Sequence, residues 1–201
     1  MTTPEATSPA TTAPGVRVIP LKRPPLIVVG IFIFLGSELM FFASLFGMYF
    51  TLRAQAAVWP PPDIDLDLLR PTIFTTVLVL SSFTMQTADR RIKQGDARGM
   101  KRWIWITFVL GLVFICGQFW DYFHANFDIA TNAYGSAFVT MTGFHAMHVI
   151  AGLLVMLVVL GRAATGAYDA QNHGAVEAAT YYWHFVDIVW IALYTVLFLI
   201  K

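Results

Sequence analysis

Five apolar stretches, each close to the roughly 20 residues that carry an α-helix across about 30 Å of hydrocarbon, use up more than half of this 201-residue chain. They fall at about residues 26–50, 72–88, 103–122, 136–160 and 178–200, with short polar connections. The pattern predicts an all-α fold, a polytopic membrane bundle of five transmembrane helices over residues 25–201. Charged side chains make up 12% of the chain, against about 25% in a soluble domain. Residues 1–24 are rich in Thr, Ala and Pro, cannot bury enough area to offset their ordering entropy, and are expected to form a disordered cytoplasmic tail. With no cleavable signal ahead of it, the first span is expected to direct insertion itself.

Punctuation agrees with these bounds. Pro24 and Pro25 precede the first span, Trp59 and three prolines follow it, and Pro71 stands where a first helical turn tolerates proline. A net charge of +1 gives no basic face for nucleic acid. The single cysteine, Cys116, sits in an apolar run; it allows no internal disulfide and no paired-cysteine metal site, and packing is its expected role.

Lys and Arg set the orientation, because cytoplasmic loops near spans carry the positive excess. Arg17, Lys22, Arg23, Arg90, Arg91, Lys93, Arg98, Lys101, Arg102 and Arg162 fall on one side. Arg53, Arg70 and Lys201 fall on the other, with Asp63, Asp65 and Asp67. The N-terminus is therefore expected in the cytoplasm and the C-terminus outside.

A charge near mid-bilayer costs about 2.5 to 3.5 kcal/mol on insertion scales, so intramembrane polar residues are the candidate sites. Glu38 lies about 18 Å into the first span at 1.5 Å per residue. It either relays protons or contacts a lipid headgroup, or it makes a buried hydrogen bond between helices. His145 and His148, three apart, share one helix face; they could hold a metal, but interhelical hydrogen bonding is the simpler role. His184 and Asp187 repeat the spacing in the last span, where a bond within the span or to a neighbour is expected. Gln118, Asp121 and Tyr122 end the third span and either bind a partner or sit at the interface. No catalytic residue and no metal site is predicted. Five histidines, with His124 and His173 expected in loops, are too few for a haem-copper catalytic subunit. A free-standing transporter and a metalloenzyme using His145 and His148 stay open, although no repeat or broken helix points to transport.

A longer series of residues adds a resemblance. Ser37-Glu38-Leu39-Met40-Phe41-Phe42, Trp59-Pro60-Pro61, Gly95-Asp96, Gln118 with Tyr122, Tyr134-Gly135-Ser136, Thr142-Gly143-Phe144-His145, His148-Val149 and the run from Tyr181 to Trp190 stand in one order. Together they resemble subunit III of cytochrome c oxidases of the haem-copper superfamily, over residues 26–201. The resemblance implies an accessory, cofactor-free subunit of a bacterial plasma-membrane complex of the aa3 type. That complex takes electrons from cytochrome c, reduces oxygen and pumps protons. Haem a, haem a3 and copper are then expected in partner subunits. Subunit I is the expected main contact, with subunit II and other subunits completing the complex; phospholipid is expected between the helices, and cytochrome c acts on the complex and not on this chain. Glu38 matches the family's membrane-embedded carboxylate, expected to support proton uptake, while His145, His148, His184 and Asp187 match positions that look structural. Two departures stand out: the first two spans of longer relatives are absent, and Asp121 replaces a glutamate. Homologous subunits serve quinol oxidases and nitric oxide reductases, but Glu38 and the Trp59 loop resemble the cytochrome c branch.

Overall fold

A computed structural model describes residues 25–62, 64, 68–127 and 129–200. The tail expected over residues 1–24, the acidic residues Asp63, Asp65 and Asp67, and Lys201 lie outside the described residues. Five α-helices follow in order: α1 (Leu26–Gln55), α2 (Leu69–Lys93), α3 (Ala97–His124), α4 (Ala133–Ala164) and α5 (Gly174–Tyr194). A π-helical turn, Thr195–Leu199, continues α5. No strand occurs among the described residues.

Local chemistry sets the helix ends. The Pro25 carbonyl accepts from the amides of Val28 and Val29, so α1 starts where the prolines stop. Between α2 and α3 the chain reverses at Gly95, whose φ of 82° suits a residue without Cβ. Asp96 then caps α3, its carboxylate accepting from the Gly99 amide at 2.8 Å. Asn132 caps α4 in the same way through the Gly135 amide, at 2.8 Å. His124, expected in a loop, closes α3, and His173 occupies the N-cap position of α5.

Four segments are long and apolar enough to cross a membrane: α1, α3, α4 and Gly174–Leu199. Helix α2 has the length, 25 residues or about 37 Å at 1.5 Å each, but is too polar to join them on composition. It packs along most of α3 as an antiparallel hairpin, and α5 closes against both α2 and α4, leaving α1 on the flank of α4 and α5.

The indole of Trp183 on α5 bolts the bundle together. It is fully buried, and its Nε1 donates to Ser81 Oγ on α2 at 2.8 Å. Its ring lies against Gly111 of α3 and Gly152 of α4. A Cβ at Gly111 would stand 2.7 Å from Trp183 Cη2, and one at Gly152 would stand 2.9 Å from Cε3. Only glycine lets both backbones approach this ring. In lipid, where apolar side chains gain little by leaving solvent, such close packing is a principal source of helix association.

Cys116 does not pack. It is exposed, sharing the outward stripe of α3 with Leu112, Val113, Phe119 and Trp120.

Candidate functional site: two interhelical polar clusters and a cavity

The first cluster joins α1 to α4. His148 Nε2 lies 2.9 Å from Glu38 Oε2, with both side chains mostly buried. Its Nδ1 lies 2.7 Å from the Phe144 carbonyl. A carbonyl can only accept, so Nδ1 carries a hydrogen. A neutral His148 then presents a bare Nε2, and the contact to Glu38 requires a hydrogen from Glu38; otherwise the imidazole is doubly protonated and faces a carboxylate. Either way one proton resides between the two side chains. Phe41 and Phe42 pack on the imidazole, and the Tyr182 hydroxyl donates to the His148 carbonyl at 3.0 Å.

His145, although three residues from His148, serves a different face. It is fully buried, stacked on Trp190 of α5 with ring centroids 4.8 Å apart and edge-on to Phe114 of α3 at 6.0 Å. Neither ring nitrogen has a hydrogen-bond partner. The interhelical hydrogen bond anticipated for this pair is therefore made by His148 and not by His145. A spacing of three residues leaves side chains about 60° apart on a helix, enough here to send one towards α1 and the other into the core.

The second cluster joins α2 to α5. Ser82 Oγ on α2 lies 3.0 Å from His184 Nδ1 and is hydrogen-bonded to Asp187 Oδ2. His184 Nε2 stands 3.1 Å from Gln86 Oε1. The spacing of His184 and Asp187 does not pair them with each other; it aims both at one hydroxyl of the neighbouring helix. Asp187 is buried and its Oδ1 has no partner.

More bonds extend this seam in both directions. Trp190 Nε1 donates to Thr75 Oγ1 at 2.9 Å, and Thr72 meets the Tyr194 hydroxyl. At the other end Lys93 Nζ reaches Asp89 Oδ2 at 2.8 Å and Glu177 Oε1 at 3.4 Å. Burial opposes the charge on Lys93, but the hydrogen bond and charge of Asp89, with those of Glu177, outweigh it and raise its pKa. From Thr72 to Lys93 the seam runs about 32 Å, close to the thickness of the hydrocarbon layer. Sequence reasoning passed over Ser82, Gln86, Thr75 and Asp89. The signal is visible afterwards: Thr72, Thr75, Ser82, Gln86, Asp89 and Lys93 recur at intervals of three, four and seven, a single helix face.

Gln118 and Asp121 lie on the wall of a cavity of about 370 Å³ among α2, α3, α4 and α5, lined by Arg70, Phe74, Phe114, Tyr122 and Trp190 among others. Gln118 is buried. The Tyr122 hydroxyl is 2.6 Å from Thr142 Oγ1, tying α3 to α4 at the cavity edge. Among the described residues no three His, Cys, Asp or Glu side chains converge to hold a metal.

Comparison with known proteins adds a relationship to this geometry. The family model for "Cytochrome c oxidase subunit III" matches residues 23–200. The chain is 45% identical over 188 residues to a "Probable cytochrome c oxidase subunit 3" of Mycobacterium leprae, covering 92% of this chain and 93% of the relative. It is 42% identical over 180 residues to a "Cytochrome c oxidase subunit 3" of Thermostichus vulcanus, covering 89% and 90%. A third relative, the "Cytochrome c oxidase subunit 3" of Corynebacterium diphtheriae, is 40% identical over 191 residues, covering 92% and 93%. Matches that run through all five helices and span nearly the full length of the relatives leave one assignment: the chain belongs to the cytochrome c oxidase subunit III family.

Proposed function

We propose that this chain is the accessory subunit III of a proton-pumping, aa3-type cytochrome c oxidase of a bacterial plasma membrane, a part of the complex that performs no redox step itself. The observation that carries this reading is the family match over residues 23–200. His145 and His148 face different helices, so the two do not form a metal site together. Haem a, haem a3 and copper then belong to partner subunits, with subunit I the main contact and subunit II in the same assembly. Phospholipid fills what the helices leave open.

Helix α2 is in this reading the fifth crossing. The Lys and Arg distribution then puts the α2–α3 turn and the N-terminus in the cytoplasm and the C-terminus outside. Glu38 with His148 supports proton uptake, because the pair holds one proton between its two side chains and can pass it from one to the other without losing their contact.

The test is to purify the chain by an affinity tag from its native membrane in mild detergent, then record the haem spectrum and oxygen uptake with reduced cytochrome c and with a quinol. Co-purifying a-type haem and uptake driven by cytochrome c are expected. Uptake with quinol alone would move the chain to a quinol oxidase. A colourless chain that conducts ions in liposomes would overturn the reading in favour of a transporter.

A further inference from the structure

We infer that Asp187, Ser82 and His184 form a second proton-binding site, separate from Glu38 and His148, which loads and releases one proton along the α2–α5 seam.

Ser82 Oγ carries one hydrogen, yet it contacts both His184 Nδ1 at 3.0 Å and Asp187 Oδ2. One neighbour must therefore donate to it. With the Gln86 oxygen 3.1 Å from His184 Nε2, that nitrogen donates. A neutral His184 then accepts at Nδ1 from Ser82, and Asp187 donates to Ser82 as a neutral acid. If the proton moves, the Asp187 O–H bond breaks as a new O–H forms on Ser82. The original Ser82 hydrogen passes to Nδ1, leaving a carboxylate and an imidazolium. Both arrangements hold the same proton and the same zero net charge.

Release also leaves every contact in place. When the imidazolium loses its Nε2 hydrogen, Gln86 turns its amide so that –NH2 donates to the bare nitrogen, Nδ1–H donates to Ser82, and Ser82 donates to the Asp187 carboxylate. The ionised state leaves Asp187 Oδ1 without a donor in the bundle interior, so the loaded state is the resting one.

Access runs from His184, which is half-buried. One turn further along α2 is Asp89, buried with an unpartnered Oδ1, and beyond it are Lys93 and Glu177, whose carboxylate accepts from Tyr181 at 2.9 Å. With Tyr194, whose hydroxyl meets Thr72 at the far end, these are the titratable groups on the seam itself. From α4, His145 faces α5 at Trp190, and from α1, Glu38 with His148 approaches α5 through Tyr182, on a different flank from His184.

The experiment is a pH titration of the intact purified complex by infrared difference spectroscopy, in H2O and D2O, for wild type, Asp187→Asn, Ser82→Ala and Glu38→Gln. The wild type is expected to show the carbonyl stretch of a neutral carboxylic acid that shifts in D2O and bleaches as pH rises, together with imidazole bands changing over the same interval. Asp187→Asn abolishes that band, and Glu38→Gln leaves it. Ser82→Ala keeps the band but separates the carboxyl and imidazole midpoints, or displaces the shared one, by about one pH unit or more, the mark of coupled groups made independent. Should Asp187→Asn fail to assemble, the Ser82→Ala comparison decides alone. A wild-type spectrum whose carboxyl bands all survive Asp187→Asn, or a Ser82→Ala titration identical to wild type, would overturn the proposal.

Discussion

Helix α1 is apolar enough to enter a bilayer unaided, yet only 17% of its most apolar stretch is buried in the chain. It touches α4 through the Glu38–His148 pair and turns Phe32, Ile33, Leu39 and Met40 outward. Helix α2 is the reverse, too polar to qualify by composition and tied to α5 by six side-chain hydrogen bonds and the Lys93–Glu177 ion pair. At about 0.6 kcal/mol for an average interhelical hydrogen bond in lipid, those six contribute on the order of 4 kcal/mol. Hydrophobicity thus takes a helix into the membrane, while polar pairs and close packing decide which neighbour it keeps.

The largest effect should come from filling the space around Trp183. Gly152→Leu places a branched side chain where even a Cβ would stand 2.9 Å from the ring, and overpacking of this kind costs about 1 to 3 kcal/mol or more. The chain should drop out of the purified complex. Gly30→Leu on α1, with nothing within 4 Å of its Cβ position, should be recovered at the wild-type yield. Equal losses from both would break the contrast between a tight seam and a loose flank.

Next in size is Ser82→Val, which strips His184 Nδ1 and Asp187 Oδ2 of their shared partner. An unsatisfied buried polar group costs about 1 to 3 kcal/mol, so the thermal transition of the complex should fall clearly. Glu38→Gln on the flank should leave that transition near wild type. The amide can donate to His148 Nε2 and preserve the contact; the loss should instead appear as faster decline of oxygen uptake over repeated turnovers. Failure of Glu38→Gln to assemble would make the α1–α4 pair structural.

The smallest effect concerns the end of the seam. Because Asp89 and Glu177 raise the pKa of Lys93 above its ordinary 10.5, the stabilisation is fully present below that value and is lost as pH rises through the higher folded-state value. Complex stability attributable to Lys93, measured as the wild type minus Lys93→Gln difference in the thermal transition, should be flat from neutral to mildly alkaline pH and shrink only beyond the lysine range. A difference that already shrinks near neutral pH would show that the ammonium is not paired as described.

The sequence made the apolar helices legible because crossing a bilayer demands an uninterrupted run of about 20 apolar residues, and the runs at 26–50, 103–122, 136–160 and 178–200 each lie within or nearly within a helical segment. Helix α2 outruns its apolar stretch of 72–88 because Arg90, Arg91 and Lys93 lie in its last turn. Glu38 stood out as a lone carboxylate, but its partner His148 is 110 residues away, and spacing along one helix carries no information about a neighbour across the bundle. The same limit hid Ser82, an ordinary helix serine until His184 and Asp187 are seen to converge on it. It also hid the isolation of His145, which depends on Trp190 and Phe114 closing around it.

The proposed fifth crossing by α2 rests on α5 satisfying its polar face. Cysteine labelling with a membrane-impermeant maleimide tests it most directly, in intact cells and then in opened membranes, with Cys116→Ala as background. Two exposed positions flank α2 on either side: Ala57 in the α1–α2 connection and Gln94 in the α2–α3 turn. The account predicts that Ala57→Cys reacts in intact cells and that Gln94→Cys reacts only once the cytoplasmic face is opened. Labelling of both positions from the same side would contradict it, leaving α2 on one surface of the membrane and the bundle with four crossings.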